Sequence, residues 1–124
     1  MKLIIGGAFQ GKLTYARNTY NFRDSDIFWC QDTEINFSKP CINGIEEFTW
    51  ACVKAGLSPV EYFDAHKEDW QDCVLICEDI FCGVVPLGAD QRRWRNETGV
   101  LCQYLSREAR SVTRIFCGLE QKLK

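Results

Sequence analysis

Gly6, Gly11 and Lys12 stand at the spacing Gly-x-x-x-x-Gly-Lys, directly after the apolar run Lys2 to Ile5. A glycine-rich turn between a strand and a helix can aim backbone N–H groups at phosphate oxygens. A lysine there reaches the outer phosphates, and the helix dipole adds positive potential. The spacing predicts a phosphate-binding loop built from Gly6, Gly7, Ala8, Phe9, Gln10, Gly11, Lys12, Leu13 and Thr14. The pattern normally continues with Ser or Thr, whose hydroxyl binds magnesium. Leu13 takes that place, and the hydroxyl arrives one residue later at Thr14. One residue is a rotation of about 100° on a helix, so Thr14 replaces the ligand only with a shift of the turn. A glycine turn that merely connects strand and helix is the alternative reading.

Glu78 and Asp79 follow the apolar run Cys73 to Cys77. Acids at such a strand end can hold the magnesium of a bound nucleotide, which makes both candidate metal residues; the alternative is a solvated pair. Arg92, Arg93 and Arg95 open a long polar-apolar segment. A guanidinium fork matches phosphate oxygens bidentately, and preorganised cations stabilise charge spread over a moving phosphoryl group. Arg92 and Arg95, three apart, share a helix face while Arg93 points elsewhere. The candidate catalytic set is Lys12, Asp79, Arg92 and Arg95, with a solvated basic helix start as the alternative for the arginines.

Positioning these residues requires alternating strands and helices. Lys2 to Ile5, Asp26 to Cys30, Cys73 to Cys77 and Val112 to Cys117 read as strands. Lys12 to Tyr20 reads as a helix, and Gln31 to Lys39 as a surface loop ending at Pro40. Between Ile42 and Ala55, apolar residues recur at three and four, and Gly56 supplies a stop. Ser58-Pro59-Val60-Glu61 has the cap, proline and acid of a helix start, predicting a helix to about Asp69. Asp90 to Arg110 is the longest predicted helix, and Glu120 to Lys124 reads as a charged tail. Strand-helix alternation with right-handed crossovers implies a P-loop NTPase-like three-layer α/β sandwich, with a mostly parallel sheet and helices on both faces.

A chain of 124 residues, 46% of them apolar, is enough for one domain, 1–124, with its own core. The net charge of -2 gives no global reason to expect nucleic acid or an anionic membrane as partner. No stretch approaches the roughly 18 apolar residues of a membrane span, and the expected location is the cytoplasm. Eight cysteines sit mostly in apolar runs without a secretion signal, so they read as free, largely buried thiols. There is no Cys-x-x-Cys pair and one histidine, so the spacing of a zinc ribbon or finger is missing.

The run Glu78-Asp79-Ile80-Phe81-Cys82-Gly83-Val84-Val85-Pro86, followed by Arg92 to Gly99 and Cys102-Gln103, has a more specific likeness. With Gly6-Gly7-Ala8 it resembles the adenosylcobinamide kinase/adenosylcobinamide-phosphate guanylyltransferase family of cobalamin biosynthesis. Residues 1 to 17 and roughly 73 to 124 carry the resemblance. It sets Gly6, Gly7, Ala8, Gly11 and Lys12 on the family's phosphate loop, Asp79 on the Glu of its central motif, and Arg92 and Arg95 on its two arginines. Gly99 and Gln103 match directly.

The resemblance implies a kinase that uses ATP or GTP with Mg2+ to phosphorylate a hydroxyl of adenosylcobinamide, and a ring-like homotrimer. In complete members it also implies GMP transfer through a histidine. Here Leu13 stands for the family's Ser, Arg95-Asn96 for its Arg-Asp, and Cys102-Gln103 for its Asn-Gln. Family members are usually longer between the phosphate loop and the central motif, where their acceptor histidine lies. The lone His66, in Phe63-Asp64-Ala65-His66-Lys67-Glu68, does not match that segment and reads as an ordinary helical histidine. The expected activity is therefore the kinase step without guanylyl transfer. The alternative is a non-catalytic nucleotide-binding relative acting as a sensor or partner protein.

Overall fold

The computed structural model describes residues 1–124. Its first strand, β1 (Lys2–Gly6), leads through a turn into α1 (Lys12–Tyr20). Two short strands follow, β2 (Ile27–Trp29) and β3 (Cys41–Asn43), then α2 (Ile45–Ala55) and α3 (Pro59–Ala65). The chain continues through β4 (Val74–Glu78), α4 (Ala89–Glu108), β5 (Ser111–Phe116) and β6 (Leu119–Lys122). The sheet order is β2-β3-β4-β1-β5-β6, parallel throughout except for β6, which runs antiparallel to β5. Helices cover both faces, as the strand-helix alternation predicts.

The central strands are apolar in succession because each residue meets a core on one face or the other. Leu3, Leu75, Cys77 and Val112 point into the thicker layer, where they pack with Phe48, Phe63, Trp70, Leu101 and Leu105. Ile4, Val74, Ile76 and Ile115 point to the opposite face and pack with Ala16 and Leu13 of α1. In the thicker layer Phe63 meets Phe48 edge-on at 5.5 Å between ring centroids and lies 6.0 Å from Trp70. The buried Trp70 indole donates to the Phe63 carbonyl at 2.8 Å, so its one polar atom is satisfied.

Three boundaries differ from the sequence reading. Cys41–Asn43 is a strand and not the start of the following helix: it pairs with β4, and Gly44 at φ 86 turns the chain into α2. Cys41 and Ile42 are both fully buried because β3 is covered on both faces. α3 ends at Ala65 instead of near Asp69, since the His66 N–H is shared between the Tyr62 and Phe63 carbonyls and the chain then turns Trp70 inward. The supposed tail contains β6. Cys117 and Gly118, at φ 51 and 77, form a two-residue hairpin turn of the kind that matches strand twist and reverse the chain alongside β5.

No helix is long and apolar enough to cross a membrane.

Candidate functional site

The turn after β1 is shaped by close approaches. A Cβ on Gly6 would lie 2.5 Å from the Ile115 carbonyl oxygen, so only glycine fits between β1 and β5 there. Gly11, at φ 92, delivers the chain into α1, and its carbonyl accepts the Tyr15 N–H at 2.9 Å. Gln10 ties the turn to the β5–β6 hairpin: its main-chain carbonyl accepts from Gly118 N–H at 2.9 Å and its side-chain oxygen from Cys117 N–H at 2.6 Å. The Lys12 ammonium folds back and donates to the Gly7 carbonyl at 2.7 Å. Phe9, at φ 59, projects its ring fully into solvent, and neighbouring Ala8 is exposed. The first turn of α1 carries neither an acidic residue nor a side-chain cap, so its free N–H groups are uncompensated.

A cleft of about 480 Å³ opens beside this turn at the C-terminal ends of the parallel strands. Lys12, Leu13 and Thr14 line it from α1, Glu78 from the end of β4, Asn43 and Trp29 from the ends of β3 and β2, and Glu46 from α2. Glu46 is the residue that sequence reasoning missed. Its carboxylate accepts the Glu78 N–H at 2.7 Å, and burial pushes its pKa up. Its backbone is held too: the Trp94 indole donates to the Glu46 carbonyl at 2.8 Å and reaches Thr49 Oγ1 at 3.1 Å. The Thr49 hydroxyl is shared between the Glu46 carbonyl at 2.9 Å and Thr98 Oγ1 at 2.6 Å. α4 thereby fixes the first turn of α2 through a buried polar network whose members satisfy one another.

The neighbouring acids Glu78 and Asp79 diverge. Glu78 lines the cleft, whereas the Asp79 carboxylate lies against the glycine turn, 3.7 Å from where a Gly7 Cβ would be. The Asp79 N–H donates to the Gly6 carbonyl at 3.0 Å, which fixes the end of β4 to the end of β1.

The arginines do not join Lys12. Arg92 and Arg95 line a second cleft, of about 330 Å³, with Phe81, Gly99 and Gln103, and it shares no residue with the first. Arg95 donates from Nε to the Phe81 carbonyl at 3.1 Å and from a terminal nitrogen to the Gly83 carbonyl at 2.9 Å. Arg92 donates to the Leu87 carbonyl. Both guanidinium groups therefore hold the segment between β4 and α4. Arg93 lies elsewhere, near Glu97 and the α2–α3 turn. No ion pair neutralises the three arginines; the two present are Arg17–Asp24 and Lys67–Glu108.

Comparison with known families decides the chain's relationship. The family described as "Cobinamide kinase / cobinamide phosphate guanyltransferase" matches residues 53–123, more than half of the chain. The protein belongs to this family. Within this member of the cobinamide kinase family, the matched segment carries Glu78, Asp79, Arg92 and Arg95, while the glycine turn and Glu46 precede it. No curated protein matches the chain significantly.

All eight thiols are free, six of them buried. Burial raises Cys41 to about 12 and Cys52 to about 11, which keeps both protonated and unreactive at neutral pH. His66 is structural: its Nδ1 lies 2.8 Å from the Tyr62 carbonyl, and its ring lies against Tyr62 at 4.2 Å between centroids. No three His, Cys, Asp or Glu side chains gather as a ready-made metal site. The donor set of the Lys12 cleft is nonetheless hard oxygen, two carboxylates and a hydroxyl. It suits a magnesium ion that keeps several waters and takes its remaining ligands from phosphates.

Proposed function

We propose that the protein is a P-loop kinase that transfers the terminal phosphoryl group of ATP or GTP to a hydroxyl of adenosylcobinamide. The observation that carries this reading is the convergence of Lys12, Glu46 and Glu78 on one cleft beside the glycine turn and the uncapped start of α1. The residues from Gly6 to Thr14 cradle the triphosphate, and Lys12 leaves its contact with the Gly7 carbonyl to meet the outer phosphates. Glu78, with Asp79 acting through water and Glu46 beside it, would hold the Mg2+, which supplies charge neutralisation on the phosphates. The acceptor oxygen forms the new P–O bond as the bond to the nucleoside diphosphate breaks, and the hydroxyl proton leaves to water.

The proposal covers the kinase step alone, because the lone histidine is engaged by Tyr62 at the end of α3 and lines no part of this cleft. Arg92 and Arg95 are assigned to holding the segment that follows Asp79. A single cytoplasmic domain assembled as a ring-like trimer belongs to the same proposal, on the family resemblance.

Leu13 favours a second reading, a nucleotide-binding protein without turnover that acts as a sensor or partner, because a leucine side chain offers the metal no ligand. The two readings are separated by titrating ATP and GTP into the protein and into Leu13→Ser, each with and without magnesium. The kinase reading expects magnesium-dependent binding in both proteins, about tenfold tighter in Leu13→Ser, the effect of one added ligand of roughly 1.4 kcal/mol. Equal affinity with and without magnesium in both proteins contradicts it.

A further inference from the structure

The Glu46 carboxylate occupies an unfavourable place. It is half-buried, and it shares the end of β4 with a second carboxylate, Glu78. No ion pair holds it there, since the two in the chain are Arg17–Asp24 and Lys67–Glu108. Its hydrogen bond from the Glu78 N–H must therefore outweigh both desolvation and the like charge of its neighbour. The helix that carries it begins without a cap of its own. The residue at the cap of α2 is Gly44, at φ 86, which has no side chain to bond the first turn.

α4 supplies the missing hold. The half-buried Trp94 indole, which can only donate, reaches both the Glu46 carbonyl and Thr49 Oγ1. Thr49 gives its own proton to the Glu46 carbonyl, so Thr98 is the donor across the 2.6 Å contact between the two hydroxyls. Thr49 and Thr98 are fully buried, so removing either end of this chain leaves a polar atom unpaired away from water. Neither Trp94 nor Thr98 lines the Lys12 cleft. Arg95, the next residue after Trp94, holds the Phe81 and Gly83 carbonyls, so the same turn of α4 grips the segment that follows Asp79.

We infer that Trp94 and Thr98 are positioning residues for the Glu46 carboxylate: they fix the first turn of α2 so that this carboxylate stays at the end of β4 and strengthens the hold on Mg2+. The inference rests on the phosphate-loop reading of the Lys12 cleft and gives residues outside that cleft the task of ordering its acids. Loss of the indole N–H then weakens the magnesium-dependent part of nucleotide binding and leaves the metal-free part alone.

The test compares ATP and GTP affinity in magnesium with that in EDTA, by isothermal titration of the full chain and its variants. Trp94→Phe keeps a ring and removes the donor; it is expected to lose about fivefold of the magnesium enhancement, with affinity in EDTA unchanged. Thr98→Val is expected to lose about threefold and Thr98→Ser, which keeps the hydroxyl, to restore it. Trp50→Phe is the packing control, because its ring lies 5.3 Å from that of Trp94 and makes no hydrogen bond; it is expected to keep the parent's enhancement. In a Glu46→Gln background, Trp94→Phe is expected to have no further effect, since the carboxylate it orders is gone. Melting temperatures of the same proteins establish that binding is measured on folded chain. Full magnesium enhancement in Trp94→Phe overturns the inference. Equal loss with and without magnesium overturns it too, as does an undiminished loss in the Glu46→Gln background, for either gives the network a role in the fold alone. Nucleotide binding by the parent without magnesium enhancement removes the positioning role and leaves the phosphate loop standing; no nucleotide binding removes both.

Discussion

Lys12→Ala is expected to raise the Kd for ATP and GTP roughly 100-fold or more, against a few-fold for Glu78→Gln or Asp79→Asn. Lys12 is the only cation lining a cleft that also holds Glu46 and Glu78. Its removal takes away a charge-assisted hydrogen bond and leaves the two glutamates facing the triphosphate with no fixed positive side chain between them. One such bond contributes about 1.5–3 kcal/mol, and the unrelieved repulsion adds to that loss. The fold does not depend on the lysine, whose one hydrogen bond is to the Gly7 carbonyl of its own turn, so the melting temperature is expected to hold. Isothermal titration of both nucleotides makes the check. Unchanged affinity in Lys12→Ala removes the phosphate-loop assignment, however the rest of the cleft behaves.

The second large effect is on stability. Gly6→Ala places a methyl group 2.5 Å from the Ile115 carbonyl oxygen and 3.3 Å from Lys12 Cγ. The first neighbour is backbone in the strand paired with β1, so it cannot rotate away; β1 and β5 must part at the end where the turn begins. Overpacking of this kind costs about 1–3 kcal/mol, which in a domain of this size lowers the melting temperature by roughly 5–15 °C. Gly7→Ala is the matched control, since its added methyl would meet Gln10 Cγ at an ordinary 3.5 Å. Thermal unfolding of the two variants side by side is expected to show a large drop in Gly6→Ala and little in Gly7→Ala. Equal melting temperatures contradict the close contact. Nucleotide binding should also fall in Gly6→Ala, because the same displacement moves Lys12.

The parts of the fold legible in the sequence were those where one local pattern had one explanation. β1 and β4 are apolar runs bounded by polar residues or glycine, and α4 keeps Thr98, Leu101, Cys102 and Leu105 buried at helical spacing. β3 was hidden because Ile42 stands three residues before Ile45, so the helical period of α2 absorbed a strand residue. The glycine at position 44 was the available sign of a break. β6 was hidden for the opposite reason: all four of its residues are exposed, and no alternation of burial marks it. The Cys117-Gly118 turn was its remaining signal.

The site was legible in the same uneven way. The glycine turn and Lys12 are contiguous, so spacing sufficed. Glu46 looks in sequence like any acid in a first helical turn, placed there to suit the helix dipole. It becomes a cleft residue because β3 ends beside β4, which delivers the start of α2 to the edge of the sheet where Lys12 stands. Arg92 and Arg95 share a helix face, as three-residue spacing requires, but spacing carries no information about which cleft that face meets. That is decided by the segment from Phe81 to Leu87, whose carbonyls take up both guanidinium groups.

Phosphoryl transfer at the Lys12 cleft is checked by following label from γ-labelled and α-labelled ATP and GTP to adenosylcobinamide. The incubation contains the purified protein and magnesium, with Lys12→Ala as control. Lysine-dependent transfer from the γ position and none from the α position is expected, which is the kinase step without guanylyl transfer. Absence of γ transfer by a protein that binds the nucleotide and cobinamide contradicts it and leaves a nucleotide-binding member of the family with a different task.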